Sequence, residues 1–156
     1  MWDRRSSGLG AAAFGAGALA LGMSPLPLAL ALAPAGGLSA SAPGLRLPSW
    51  LFGAVWTIIY PCLGVATWRV WARRAQPGVT EALAVFSLCF LFLLAFLPIT
   101  AAAHEQRVTA MMDIIGLASS YVTAWVYRRV DRGTVRWMVP LLLWMPTTTL
   151  LKLVTL

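Results

Sequence analysis

Few side chains in this chain are equipped for covalent or metal chemistry. In 156 residues there is one histidine, His104, two cysteines, Cys62 and Cys89, and five acids. A structural or catalytic zinc wants three or four Cys, His or carboxylate ligands, and these candidates are widely separated along the chain. A single histidine at a helix end reads as a solvated residue before it reads as an axial haem or chlorin ligand. Spacing assembles neither a phosphate loop nor a Ser-His-Asp set, so no catalytic or metal-ligating residue is assigned. Two charges do stand out, Asp113 and Lys152, because each sits alone in an apolar run. A lone acid within a membrane span costs ~2.5–3.5 kcal/mol at helix centre, so it turns toward protein and a partner. Counted from Arg107 and from Leu156, the two groups lie ~9 Å and ~6 Å deep at the rise of an α-helix. Their similar depth on consecutive antiparallel helices predicts an ion pair. The competing reading has Lys152 snorkelling to the interface alone and Asp113 bonding a hydroxyl or a main-chain carbonyl.

The remaining chemistry is non-covalent. The segment LPSWLFGAVWTIIYPCLGVATWRVW repeats Phe52, Trp56, Tyr60, Gly64 and Trp68 at four-residue steps, which places them on one slowly drifting helix face. Aromatic rings supply large, rigid, flat contact area suited to a planar or polyene ligand held between helices. Tryptophans also anchor helices at the membrane interface, and Trp50, Trp68 and Trp71 near the ends fit that role. Trp56 and Tyr60 are mid-span and are expected to face the bundle interior.

The elements that carry these residues follow from composition. The chain is 60% hydrophobic and 11% charged, with a net charge of +7. Soluble domains carry about 25% charged residues, so a soluble globule and a disordered chain are both excluded, and two cysteines exclude a disulfide scaffold. About 20 apolar residues cross a bilayer. Five such windows predict an all-α integral membrane bundle of five transmembrane helices, at approximately 9–32, 47–71, 80–103, 108–127 and 137–156. A basic start followed by an apolar run is also the form of a signal peptide, but the run is long for one. Pro25 and Pro27 are expected to break or kink the first helix near its far end, leading into an irregular segment, SPLPLALALAPAGGLSASAPG. Ala12, Ala16 and Ala20 mark a packing face, either within the bundle or against another subunit. Pro61, Pro98, Pro140 and Pro146 free backbone carbonyls that neighbours must satisfy, with Thr147, Thr148 and Thr149 as candidates beside Pro146. Arg4, Arg5, Arg69, Arg73, Arg74, Arg128, Arg129, Arg132 and Arg136 fall at one end of this bundle; Arg46, Arg107 and Lys152 fall at the other. The positive-inside rule then puts the N-terminus in the cytoplasm. The net charge reflects topology and anionic lipid, not nucleic acid, because no basic domain exists to hold one.

The second-helix string resembles the signature of the TspO/MBR family, the translocator or tryptophan-rich sensory proteins, which are five-helix membrane proteins of about this length. Pro43, Pro48, Trp50, Phe52, Val55, Trp56, Thr57 and Tyr60 match the family pattern at the right spacing. Weaker likeness continues through Phe96 and Pro98, Ala110 and Asp113, and Pro140, Trp144, Thr148 and Thr149. The resemblance implies a cavity between helices for tetrapyrroles, sterols or other flat hydrophobic molecules, and often a homodimer. It implies as ligand-binding residues Trp50, Phe52, Trp56, Tyr60, Phe96, Asp113, Trp144 and Lys152. The chain departs from the family where Cys89, Leu93 and Lys152 replace polar cavity residues, and where Ala42 and Leu47 replace a Lys and a Pro. A drier pocket favours a carotenoid, quinone, sterol or lipid tail over a porphyrin. Val122, Tyr127 and Arg129 form a sterol-type string of weak specificity.

Three functions remain open. The leading one is a non-catalytic membrane protein binding a hydrophobic small molecule in an aromatic-lined pocket, in the inner membrane of a bacterium. The alternative is an accessory subunit of a larger photosynthetic or respiratory complex. The third is a small membrane isomerase or cyclase using Asp113 as acid. Orientation has a direct test. A C-terminal reporter active only outside the cytoplasm should work in cells, and activity of only a cytoplasm-specific reporter at that end would reverse the assignment.

Overall fold

A computed structural model describes residues 4–33, 49–103 and 105–154. Arg46, Pro43, Pro48, Ala42, Leu47 and His104 lie outside the described residues, as do the side chains of Arg4 and Arg5. Among the described residues the fold is helical throughout: α1 (Arg4–Met23), α2 (Leu26–Leu32), α3 (Ser49–Trp71), α4 (Val79–Ala103), α5 (Gln106–Val130) and α6 (Val135–Val154). Long apolar runs without strand alternation form helices because only a helix satisfies its own backbone in hydrocarbon. The run expected as one helix over 9–32 is divided at Ser24-Pro25. The Ser24 hydroxyl donates to the Leu21 carbonyl at 2.7 Å, and Pro25, which has no N–H, stands at the cap of α2. The short α2 packs on α4 and buries Ala29 completely.

The helices form a ring in which α3 packs against α1, α4 and α6, and α5 packs between α4 and α6. Gly78, at φ 82°, makes the left-handed turn that feeds α4. The tightest seam joins α1 to α3. A Cβ on Gly64 would run into the Phe14 carbonyl and the Gly15 backbone, and one on Gly22 would run into the Tyr60 ring. Glycine therefore brings these backbones together, whereas Ala12, Ala16 and Ala20 are exposed on the opposite face of α1. Within the bundle, their expected packing role is filled by Gly10, Gly15 and Gly22.

Four segments are long and apolar enough to cross a membrane: Gly8–Leu32, Trp50–Trp71, Val79–Ala103 and Arg132–Val154. The 25-residue α5 is as long as any of them but is the least apolar of the long helices. Its polarity is directed inward. Asp113, Ser120 and Thr123 are buried, while Met111, Ile114, Ile115, Val122 and Trp125 are exposed. The same inversion holds across the molecule, where Leu88, Leu91, Ile58 and Leu143 lie outside.

The proline expectation needs one correction. Pro146 leaves the Leu142 carbonyl without its helical N–H, and the Tyr121 hydroxyl donates to that carbonyl from α5 at 3.2 Å. Thr147, Thr148 and Thr149 donate within α6 to Leu143, Met145 and Met145 carbonyls. Periodicity cannot find a donor on another helix.

The glycine seam predicts an asymmetric mutational response. Gly64→Leu should lower thermal stability in detergent by roughly 1–3 kcal/mol or more through overpacking. Gly53→Leu on the same helix, with open space around it, should leave stability unchanged or slightly raised. Equal effects would remove the seam as the cause.

Candidate ligand-binding site

An α-helix turns ~100° per residue, so a four-residue step overshoots a full turn by ~40°. Over the row from Phe52 to Trp68 this drift accumulates, and the row does not stay on one wall. Phe52 meets Trp144 of α6 edge to face, with ring centroids 5.4 Å apart. Trp56 lies against Tyr60 at 5.1 Å. Tyr60 turns to Phe90 of α4 at 6.0 Å and covers Gly22 of α1. Trp68 meets Phe14 of α1 at 5.3 Å. The expected single face is thus a spiral that touches α6, then α4, then α1.

From Tyr60 the rings continue into the core. Phe90 stacks with Phe86 at 5.5 Å, and Phe86 lies 5.6 Å from Tyr127. Tyr127 is fully buried and shares a 3.0 Å hydrogen bond with Thr67 of α3. This corrects the sterol-type string, because Tyr127 points into the protein while Val122 and Arg129 are exposed. Phe86, Phe90 and Thr67 join the ring network although no sequence motif marks them. The Phe86–Phe90 spacing of four residues was the available signal for the first two.

Where α5 faces α6, Lys152 Nζ lies 2.5 Å from Asp113 Oδ2, an ion pair. The pair is well shielded, with side-chain exposures of 13% and 3%. The ammonium also stands 5.3 Å from the centre of the Phe96 ring, close enough for a cation–π attraction. A low-dielectric site with both charges present holds together strongly, and losing one partner strands the other.

The eight candidate residues therefore fall into groups. Phe52 joins Trp144, Trp56 joins Tyr60, and Asp113 joins Lys152 and Phe96. Trp50 is left out: it is 70% exposed in the first turn of α3, as an interfacial anchor would be. Tyr60 is buried, as expected, and Trp56 is only partly buried against the core. Beside Trp144 a concavity of about 280 Å³ is lined by Val55, Ile58, Pro140, Leu143, Trp144 and Thr147. It opens outward between α3 and α6, since Ile58 and Leu143 are exposed. Cys89 and Leu93, at positions expected to dry the pocket, are buried in the α4 core. Among the described residues no group of three His, Cys, Asp or Glu side chains is placed to hold a metal.

The TspO/MBR family profile matches residues 25–155, nearly the whole chain. The chain belongs to the TspO/MBR family. Comparison with individually curated proteins gives no match. In this TspO/MBR protein Trp50, Phe52, Val55, Trp56, Thr57 and Tyr60 lie on α3.

The buried pair makes a sharp prediction. Asp113→Asn and Lys152→Met alone should each destabilise the protein by roughly 3–5 kcal/mol, because each strands a buried charge or its polar replacement. The double variant should recover most of that loss. Thermal melting in detergent reads the cycle, and simple additivity of the two changes would show that the charges do not interact.

Proposed function

We propose that this TspO/MBR protein is a non-catalytic binding protein that holds a flat, mostly apolar molecule against the aromatic half of its bundle. The single observation that carries the reading is the company kept at that end of the molecule. Phe52 opens α3 at the end where α4 closes beyond Phe96 and α6 closes beyond Lys152, and the Phe52–Trp144 and Trp56–Tyr60 ring pairs run from that end to the middle of α3 and α6. Rings bind a flat surface without demanding polar groups in return. Asp113 and Lys152 neutralise one another, and Cys89 and Leu93 offer no strong donor. Such a wall suits a carotenoid, sterol, quinone or lipid tail better than the carboxylates of a tetrapyrrole.

In this reading α5 is the fifth transmembrane span. Its support is the inverted polarity of the helix, with Ile114, Ile115 and Val122 outside and Ser120 and Thr123 inside. At ~1.5 Å per residue its 25 residues exceed the hydrocarbon thickness. The arginine-rich end faces the cytoplasm of a bacterial inner membrane, on the strength of the charge asymmetry.

The binding experiment uses the purified full chain in detergent, with a carotenoid and with protoporphyrin as absorbing probes. The carotenoid should co-elute and saturate near one per chain, and the porphyrin should bind more weakly. Trp144→Leu should weaken the carotenoid by about tenfold, the loss expected of a central aromatic anchor. If neither probe saturates and the native protein migrates with a larger respiratory or photosynthetic assembly, the accessory-subunit reading replaces this one.

A further inference from the structure

The arginine-rich end contains a built feature that the aromatic half does not explain. Asp131, just past α5, is consumed by Arg69 of α3 and by Arg73 in the turn that follows α3. Its Oδ2 accepts Arg69 at 2.7 Å and Arg73 at 3.0 Å. Its Oδ1 accepts the Gly133 N–H at 3.0 Å, and its carbonyl accepts the Thr134 hydroxyl at 2.7 Å. These bonds pin the 3₁₀ turn Arg132–Thr134 between α5 and α6. The nearest acid in sequence is therefore already neutralised. Arg128, Arg129 and Arg132 flank it in sequence, are exposed, and form no ion pair among the described residues.

These three arginines and Trp125 line one concavity of about 420 Å³. Arg129 is not free in solvent: its guanidinium carbon lies 3.4 Å from the centre of the Trp125 ring. Stacking of this kind orients the planar donor fork while leaving its edge open. The α5 carbonyl end contributes a negative dipole of about half a charge, which three guanidiniums exceed. The concavity is thus a cationic cup with one wall preorganised. Guanidinium forks match phosphate oxygens in pairs.

The source of that phosphate follows from what lies beside the cup. Trp125 is 55% exposed, and Val122, Ile115, Ile114 and Met111 continue the exposed face of α5 away from it. Residues three and four apart stack on one helix face, so an apolar stripe runs from the cup along the helix. A soluble anion has no use for the stripe, whereas a phospholipid fills both parts.

We propose that Arg128, Arg129, Arg132 and Trp125 form a binding site for one anionic phospholipid, with its phosphate in the cup and an acyl chain along the outer face of α5. The site is separate from the aromatic half and stands whether or not a ligand binds there.

The test is native mass spectrometry of the delipidated full chain in detergent, with phosphatidylglycerol and phosphatidylcholine added in turn. Phosphatidylglycerol should give the more persistent adduct. The triple variant R128Q/R129Q/R132Q should lose that preference, at roughly fivefold in affinity for each arginine removed, while phosphatidylcholine binding stays level. Because the three side chains are exposed, the variant should keep the wild-type melting temperature, which is measured alongside. Arg107→Gln, at the opposite end of α5, should leave the preference intact, and Trp125→Leu should reduce it. Full preference in the triple variant overturns the site. Equal loss with Arg107→Gln reduces it to diffuse charge and also overturns it. Displacement of the lipid by an equal concentration of inorganic phosphate assigns the cup to a soluble anion and overturns the lipid.

Discussion

An aspartate side chain that is 3% exposed, in a molecule whose outer surface is largely hydrocarbon-like, has very few places to go. Burial inside the protein withholds water from it, and a buried charge left unpaired is costly. The pairing of Asp113 with Lys152 therefore sets the rotation of α5. Once residue 113 faces α6, helical periodicity turns Gly116, Ser120, Thr123 and Tyr127 inward and leaves Ile114, Ile115, Val122 and Trp125 outside. Gly116 admits the Met145 side chain of α6, so the helices close around the pair. The seryl and threonyl hydroxyls bond their own helix carbonyls at 2.7–2.8 Å and need no further partner.

The opposite end is held by a second charged contact of different character. Asp131 joins the turn after α5 to Arg69 of α3 and to Arg73 just beyond it, where the arginines remain about one-third exposed. Such a contact is worth less energy than a buried one, but it positions the turn. A Cβ on Gly133 would collide with the Arg69 guanidinium, so the clamp also depends on a missing side chain. Between the two ends, glycine on α1 and α3 brings backbones close, and the aromatic spiral fills the space that remains.

This arrangement bears on function through what is already satisfied. The core rings from Tyr60 to Tyr127 pack against one another, and the one hydroxyl pair among them is internally bonded. The surfaces still available for recognition are apolar and aromatic near Trp144, and cationic near Trp125. They differ in chemistry and in place: the first lies midway along α3 and α6, the second at the C-terminal end of α5.

Much of this was legible in the residues alone. Hydropathy and charge determined a membrane helical bundle, because only internally bonded backbone survives in hydrocarbon. The spacing around Trp56 and Tyr60 carried the family, and similar depth predicted the partner of Asp113. Pro25 marked the break after α1, since a residue without an N–H must interrupt the ladder. Four spans stand on composition alone; α5 does not, because its buried polar face lowers the average that hydropathy measures. Only the tertiary structure decided which faces meet. It divided the aromatic row among three helices, since 40° of drift per step matters only once neighbours are in place. It sent Tyr121 to the carbonyl orphaned by Pro146, and it turned Ala12, Ala16 and Ala20 outward while glycines made the seam. Partner choice across helices depends on rotation and distance between separate segments, and those are set by packing of the whole bundle, not by any pattern within one segment.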